Sequence, residues 1–432
     1  MERRSFLERT GLAIGAGLVL PALQGIELSA SPSSFSNWSS VREQFNLEKG
    51  KIRMAQMLLA SHPKPVRDAI EQHRKSFDAN PDEYWEANFI TAEEKVLKAA
   101  AAYIQAEPSE IALTDSTTQG LGTLYGGFKF KSGDEVLTTT HDHYSTEIAL
   151  QHASQKNGAK IRRIAHYDDP AKAAVPEIIG RLKKGIRPET RLVAATWVHS
   201  CSGVKLPIRA MADAIKSENS NRKASDRIYF AVDGVHGFGI ENKSMADLGC
   251  DYFVAGTHKW LYGPRGTGIM WAKKDAWNML IPTIPAFSIA YGVWLGEVKE
   301  YDLTFSDLFS PGGFHAFEHR WSLHEAFDFH RRIGKDKVEQ RTHQLNSLLK
   351  EGLQSIKHVK LHTPVSPELS SGINCFDVAG LKPAEVVERL HKQNIIGSTS
   401  PYRISYARLT PCILNTEEDV HASIRALENM KV

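Results

Sequence analysis

The sequence predicts an α/β protein: a large domain on a mainly parallel sheet covered by helices, then a smaller C-terminal α/β domain. Two observations carry that expectation. From about residue 115 to 272, short β-branched and aromatic runs alternate with stretches of helical period, and such alternation builds parallel sheets with both faces covered. A chain of 432 residues, 42% hydrophobic and 24% charged, is long enough for two or three domains with sizeable cores. The same composition excludes a collagen, a coiled-coil rod and a mostly disordered chain. Lys plus Arg number 53 and Asp plus Glu 50, for a net charge of +3. That balance gives no overall field to attract a nucleic acid.

Residues 1–30 read as a signal peptide. Arg3-Arg4-Ser5-Phe6-Leu7 precedes an uncharged run from Gly11 to Leu23, a basic segment before a modest apolar one. The run is too short and too rich in Gly and Ala for a comfortable membrane span. Paired arginines before Ser-Phe-Leu resemble a twin-arginine (Tat) signal, which implies export by the Tat machinery to the periplasm. That route carries proteins already folded, often with a cofactor in place. Ser31 to Ser40 reads as a polar linker.

From about 45 to 110 the pattern is mostly helical, as at Pro65 to Lys75 and Ala92 to Ile104. Strands are expected at 135–139, 160–165, 191–198, 227–232, 251–255 and 267–272, and helices near 115–126, 145–157, 173–184 and 208–217. Pro282, Pro285, Pro311, Gly312 and Gly313 break the pattern between 275 and 315. A long helical stretch from about 320 to 355 follows, and 358–432 alternates again. The expected division is 31–290 for the N-terminal segment and large domain, and 291–432 for a connecting region and the small domain. Cysteines 201, 250, 375 and 412 form no CxxC pair, which excludes a zinc ribbon or thioredoxin-type motif.

In parallel sheets ligands gather beyond the carboxyl ends of the strands. Those ends carry Thr140-His141-Asp142-His143-Tyr144, His199-Ser200-Cys201-Ser202-Gly203, Asp233-Gly-Val-His236 and Gly256-Thr257-His258-Lys259-Trp260, while Ser116-Thr117-Thr118-Gln119-Gly120 opens a helix. Lys259 after a buried strand is a candidate amine nucleophile. Asp233 could hold a protonated ring nitrogen, and a Ser-Thr-Thr helix start could cradle a phosphate. An imidazole could stack on a planar ring. Pyridoxal 5′-phosphate (PLP) wants all four. Singly each piece has a plainer reading: a surface lysine, a turn aspartate, an N-cap, loop histidines. His141, His143, His236 and Asp233 could also be metal ligands, but HxH on a loop without a helix-spaced partner is poor evidence. No metal is expected.

His258-Lys259-Trp260-Leu261-Tyr262-Gly263-Pro264-Arg265-Gly266-Thr267-Gly268 resembles the HKWLxxPRGxG segment of the class V aminotransferase family, fold-type I PLP enzymes, in its isopenicillin N epimerase-like branch. The resemblance spans roughly residues 50 to 425, with motifs in family order. It implies that Lys259 bonds covalently to PLP and later carries the Cα proton. Asp233 pairs with the pyridinium nitrogen, His236 sits near the ring O3′ oxygen and His141 stacks on the ring, with His143 as the register alternative. Thr117, Thr118 and His258 hold the phosphate. Ser200 stands where desulfurases carry Asn. Arg408, in Arg408-Leu-Thr-Pro-Cys-Ile-Leu-Asn415-Thr416-Glu-Glu-Asp, clamps the substrate α-carboxylate; its plainer reading is a structural ion pair. A homodimer is implied.

The sequence departs from the pattern in three places. Gly256 replaces a serine that desulfurases often carry, so one phosphate contact is absent. Phe317-Glu318-His319-Arg320-Trp321 stands where many members present a Gly-Thr from the second subunit to the phosphate, and its role stays open. Gly397 to Arg408 holds no cysteine, whereas a desulfurase carries its reactive Cys on that loop, so desulfurase chemistry is disfavoured. Aminotransferase-type chemistry on an amino acid or peptidyl amine is the first expectation. An exported member of this branch resembles periplasmic enzymes that tailor the glutamate side chain of pyoverdine siderophores. An epimerase, a lyase and a non-catalytic binding protein on the same scaffold remain alternatives.

Overall fold

The structure, a computed structural model, describes residues 35–430; the expected signal at 1–30 lies outside them. Seven strands form the large sheet: β1 Ile111–Thr114, β2 Glu135–Thr139, β3 Lys160–Ile164, β4 Thr190–Thr196, β5 Tyr229–Asp233, β6 Tyr252–Gly256 and β7 Gly268–Ala272. Their order is β3-β2-β4-β5-β6-β7-β1. All neighbours are parallel except where β7 meets β6 and β1. The near-continuous apolar runs Tyr-Phe-Ala-Val and Tyr-Phe-Val-Ala are buried along their whole length, as strands covered on both faces must be.

Two features add to the sequence reading. β1 is an additional strand, four residues wedged between the 3₁₀ turn Pro108–Glu110 and a helix, too short to show a period. β7 stands at the expected 267–272 and is the antiparallel exception in a sheet that is mainly parallel, as expected. Only residues 257–267 separate it from β6, too few for a parallel crossover.

The principal helices are α1 Lys64–Ala79, α2 Pro81–Ile104, α3 Thr117–Gly127, α4 Tyr144–Asn157, α5 Val175–Gly185, α6 Ile208–Asn219, α7 Leu323–Ile333, α8 Lys335–Ser355, α9 Pro383–His391 and α10 Glu417–Glu428. Alternate strand residues face two cores. Leu124, Leu150, Ala194, Ala231 and Val254 pack on the α3–α4 side. Val193, Val232, Phe253, Leu182, Met211 and Phe327 pack on the other, under α5, α6 and α7. The helical stretch expected from 320 to 355 is broken at Gly334, whose φ of +100° suits a residue without a Cβ.

The C-terminal unit has a four-stranded antiparallel sheet of β8 Val359–Leu361, β9 Asn374–Val378, β10 Ser398–Thr399 and β11 Ala407–Leu409, in the order β10-β11-β9-β8. It packs on α8, α9 and α10 through Leu345, Leu349, Phe376, Leu409 and Val420. The N-terminal segment joins this core. Ile52–Arg53 pairs with Ile395–Ile396, and Thr410 N–H donates to Met54 O at 2.8 Å. A few residues later Ala60 N–H donates to His258 O at 3.2 Å, so one segment ties the small unit to the edge of the large sheet. All four cysteines are free. Among the described residues no helix is long and apolar enough to cross a membrane.

Candidate active site

Lys259 lies in the tight loop between β6 and β7. Thr257 N–H donates to Thr267 O at 3.1 Å, Gly263 N–H to Thr257 O at 2.9 Å and Tyr262 N–H to Lys259 O at 3.1 Å. Tyr262 is held at φ +58°, a left-handed conformation that costs a bulky residue on the order of 1–3 kcal/mol; its full burial beside Trp260 offsets that. Burial lowers the Lys259 pKa to about 8, assisted by the Arg408 charge and opposed by Asp233. The Lys259 Nζ is 3.5 Å from His236 Nε2. Trp260 Nε1–H, which can only donate, reaches His236 Nδ1 at 3.2 Å. A neutral His236 therefore carries its proton on Nε2, facing the lysine. Burial holds this imidazole well below its ordinary pKa.

Asp233 closes β5 and is 2% exposed. Its carboxylate accepts one hydrogen bond among the described residues, from Val235 N–H at 3.1 Å. Burial pushes its pKa up to about 7, against that N–H and the Lys259 charge. A buried carboxylate this poorly satisfied calls for a cationic partner.

Ser116 caps α3, its Oγ accepting from Gln119 N–H at 3.1 Å. Thr117 and Thr118 are the first helical residues, whose N–H groups have no carbonyl to bond within the helix. Thr117 Oγ1 accepts from Gly256 N–H at 2.7 Å, joining the helix start to the end of β6. His258 Nδ1 is buried without a partner. A Cβ at Gly256 would lie 3.0 Å from both His258 Cε1 and Thr117 Oγ1, so glycine is what lets the imidazole and the hydroxyl close on one spot.

Arg408, on β11, is 1% exposed. Its Nη1–H donates to Ser200 O at 2.8 Å, Nη2–H to Thr399 O at 2.6 Å and Nε–H to Ser398 Oγ at 3.3 Å. These bonds leave one N–H on each Nη, the pair that grips a carboxylate bidentately. Among the described residues no carboxylate pairs with it, which goes against the structural ion pair. Ser200 Oγ is 2.7 Å from the Tyr402 hydroxyl.

The two histidines after β2 have different surroundings. His143 feels the charges of Lys259 and Arg408 as well as burial, and it packs edge-on against Tyr402, with centroids 5.9 Å apart. His141 instead lies flat on Tyr167, at 4.0 Å and 3°, with Arg181 and Asp168 as its charged neighbours. Asp142 between them fixes this choice, accepting from Thr138 Oγ1 at 2.6 Å and Thr196 Oγ1 at 2.8 Å. The register alternative is therefore the better candidate for covering a ligand beside Lys259. Tyr167 and Tyr402 were missed: their partners lie far away in sequence, and Tyr402 falls in a stretch noted only for lacking cysteine.

Gly203 secures the Ser200 loop. Its φ is +74°, and a Cβ there would sit 2.3 Å from Ile373 O and 2.6 Å from Thr363 Oγ1. Gly266 has the same φ of +74° with nothing within 4 Å. Gly203→Ala is expected to cost about 3 kcal/mol, and Gly266→Ala about 1 kcal/mol. Thermal unfolding of the pair checks this; equal losses would remove the packing argument.

The rival metal set does not assemble. Among the described residues the group close enough to share an ion is Glu241, Glu339 and His343, remote in role from Lys259. There Glu241 already accepts from His343 at 2.9 Å, Lys205 at 2.7 Å and Ser371 at 2.6 Å.

The profile of the class V aminotransferases matches residues 60–422. A probable cysteine desulfurase of Pyrococcus abyssi is 24% identical over 366 residues, covering 82% of this chain and 86% of that protein. Isopenicillin N epimerase of Amycolatopsis lactamdurans is 23% identical over 362 residues, covering 80% and 87%. Among solved structures, a C-DES mutant with glycine covalently linked to its PLP cofactor matches with a TM-score of 0.81 at 22% identity, covering 90% of this chain and 99% of that one. The likeness establishes the architecture as fold-type I.

Proposed function

We propose that the chain, which belongs to the class V aminotransferase family, is a PLP-dependent enzyme acting on an amino acid or peptidyl amine by aminotransferase-type chemistry. The observation that carries this reading is one buried cluster: the Lys259 amine with a lowered pKa, the under-satisfied Asp233 carboxyl and the free fork of Arg408. The residues present fit the cofactor. Asp233 lacks the cation that a pyridinium offers. His258 Nδ1 and the first N–H groups of α3 lack the acceptor that a phosphate offers.

Bound PLP supplies an electron sink for negative charge at the substrate α-carbon. Asp233 would keep the ring nitrogen protonated, and Thr117, Thr118 and His258 would hold the phosphate. Lys259 would hold the cofactor covalently and, once the substrate amine has replaced it, would be the neutral amine that takes and returns the Cα proton. His236 offers its Nε2–H beside the lysine, and Arg408 orients the substrate by its carboxylate. Ser200 acts through its carbonyl, which steadies Arg408, and its hydroxyl, which meets Tyr402.

Two relatives are named for other reactions, desulfuration and epimerisation. One thiol reaches the Gly397–Arg408 loop from outside it: Cys201 donates to Ile404 O at 3.5 Å. Burial raises its pKa, which leaves a poor nucleophile. That favours amino-group over sulfur transfer. Exposed Phe287, Tyr291, Trp294, Tyr301 and Phe314 support a homodimer, because apolar surface of this extent favours association. The twin-arginine pattern supports the periplasm as the location, and an exported enzyme of this kind could act on the glutamate group of a secreted siderophore.

The test is the visible spectrum of the purified protein before and after borohydride, with the reduced cofactor traced to the Lys259 peptide. Single-turnover reaction with L-glutamate should yield a keto acid without sulfide from L-cysteine. A colourless protein that takes up no PLP would sink the reading. Unchanged siderophores from a knockout strain would remove the substrate proposal alone. On the same assay His143→Ala is expected to lower turnover about 10²-fold, the scale of a lost positioning group. His141→Ala should act mainly on thermal stability. Reversed effects would restore His141.

A further inference from the structure

The loop between β10 and β11 is pinched at its neck. Ser400 N–H donates to Tyr406 O at 2.9 Å, Tyr406 N–H to Ser400 Oγ at 2.9 Å and Ser405 Oγ–H to Ser400 O at 2.7 Å. Beyond the neck Pro401, Arg403 and Ile404 face solvent, while Tyr402 turns inward. Its ring stands edge-on to His143. Its hydroxyl meets Ser200 Oγ, and the same Ser200 offers its carbonyl to Arg408 Nη1–H. One residue thus holds the phenol and the guanidinium side by side.

Resting on the PLP reading above, we propose that Tyr402 is a substrate-contacting residue: its hydroxyl is the neutral partner of Arg408 at the carboxylate end of the site, and its ring closes that end beside His143. The chemistry suits the place. Arg408 has two N–H groups free, enough for one carboxylate, and a carboxylate has lone pairs left over. A phenol can accept from Ser200 while donating to such an oxygen. Burial keeps the phenol protonated, so it adds a donor without adding charge. The site would then select amines that carry an adjacent carboxylate and would exclude water from that end.

The test needs no knowledge of the natural substrate. Aminooxyacetate and methoxyamine both displace Lys259 from bound PLP through the same aminooxy nitrogen, and only the first carries a carboxylate. The ratio of their rate constants, followed by absorbance, reads carboxylate recognition. Wild type should favour aminooxyacetate strongly, and Arg408→Ala should abolish the preference. Tyr402→Phe should lower the ratio about tenfold, the scale of a hydrogen bond to a charged group. Tyr402→Leu should lower it as far and also speed methoxyamine, because the wall is gone. An unchanged ratio in Tyr402→Phe overturns the proposal. So does an equal rise in both rates, which would make the hydroxyl a latch on the loop and nothing more. A wild type without a PLP band overturns the functional reading itself, and a wild type that binds PLP but shows no preference overturns the Arg408 clamp.

Discussion

Lys259→Met abolishes covalent cofactor attachment and lowers turnover on the order of 10⁴-fold, the upper range for a lost general acid–base group. The same change is expected to stabilise the cofactor-free protein. Methionine fills similar space and carries no charge. The lysine's pKa is about 8 in the fold and about 10.4 in an unfolded chain. Between those values the unfolded state binds more protons, so wild-type stability rises with pH there. Below pH 8 the buried ammonium therefore costs the fold about 3 kcal/mol. Thermal unfolding of the two cofactor-free proteins at pH 7 and pH 10 measures it. The variant should melt higher at pH 7, and the gap should narrow at pH 10. A gap of the opposite sign would mean that the amine is already satisfied by the protein, and the case for a cofactor aldehyde would weaken. The stability gain and the lost turnover have one cause: the fold keeps the amine poorly solvated, which makes it a usable base near neutrality.

Much of the site was legible because each part follows a strand that announces itself. Tyr-Phe-Ala-Val ends in Asp233, and Tyr-Phe-Val-Ala leads into Gly256-Thr-His-Lys259. Short apolar runs alone place those residues on one sheet edge. The choice between His141 and His143 was not legible. Both stand within one turn after β2, and the Asp142 anchors at Thr138 and Thr196 set their different surroundings. Thr196 is the register neighbour of Asp233, a relation across two strands that spacing along the chain does not carry. β1 escaped because four residues between a 3₁₀ turn and an N-cap show no period. The direction of β7 was within reach, since the length of 257–267 forbids a parallel return. The contact of Met54 with Thr410, and of Tyr402 with Ser200, joins segments with no local signal. The substrate end of the site is built almost entirely from such contacts, which is why the cofactor chemistry was easier to read than the specificity.

Asp233→Asn tests the opposite end of the same arrangement. Asparagine keeps the shape and can still accept from Val235 N–H, but it cannot hold a cation. Turnover should fall roughly 10²- to 10³-fold, the scale for removing one preorganised electrostatic partner, and PLP should bind more weakly. Stability should move the other way. Asp233 titrates near pH 7 in the fold and near 3.9 when unfolded. Across that window the folded state binds more protons, so wild-type stability falls as pH rises. Above pH 7 the ionised carboxyl costs the empty protein about 4 kcal/mol, a cost the variant lacks. The cofactor-free variant should therefore melt higher than wild type at pH 8 and near it at pH 4, whereas with PLP bound the wild type should regain the advantage at pH 8. Failure of PLP to reverse the order would mean that the ring nitrogen finds no partner in Asp233. Lys259 and Asp233 resist charging together because burial penalises an ammonium and a carboxylate alike. Each supports the other only partly, since the Lys259 charge lowers the Asp233 pKa without restoring its usual value. A ligand with a carbonyl for the amine and a protonated ring nitrogen for the carboxylate relieves both at once, so the two variants should each lose the stabilisation that PLP gives wild type.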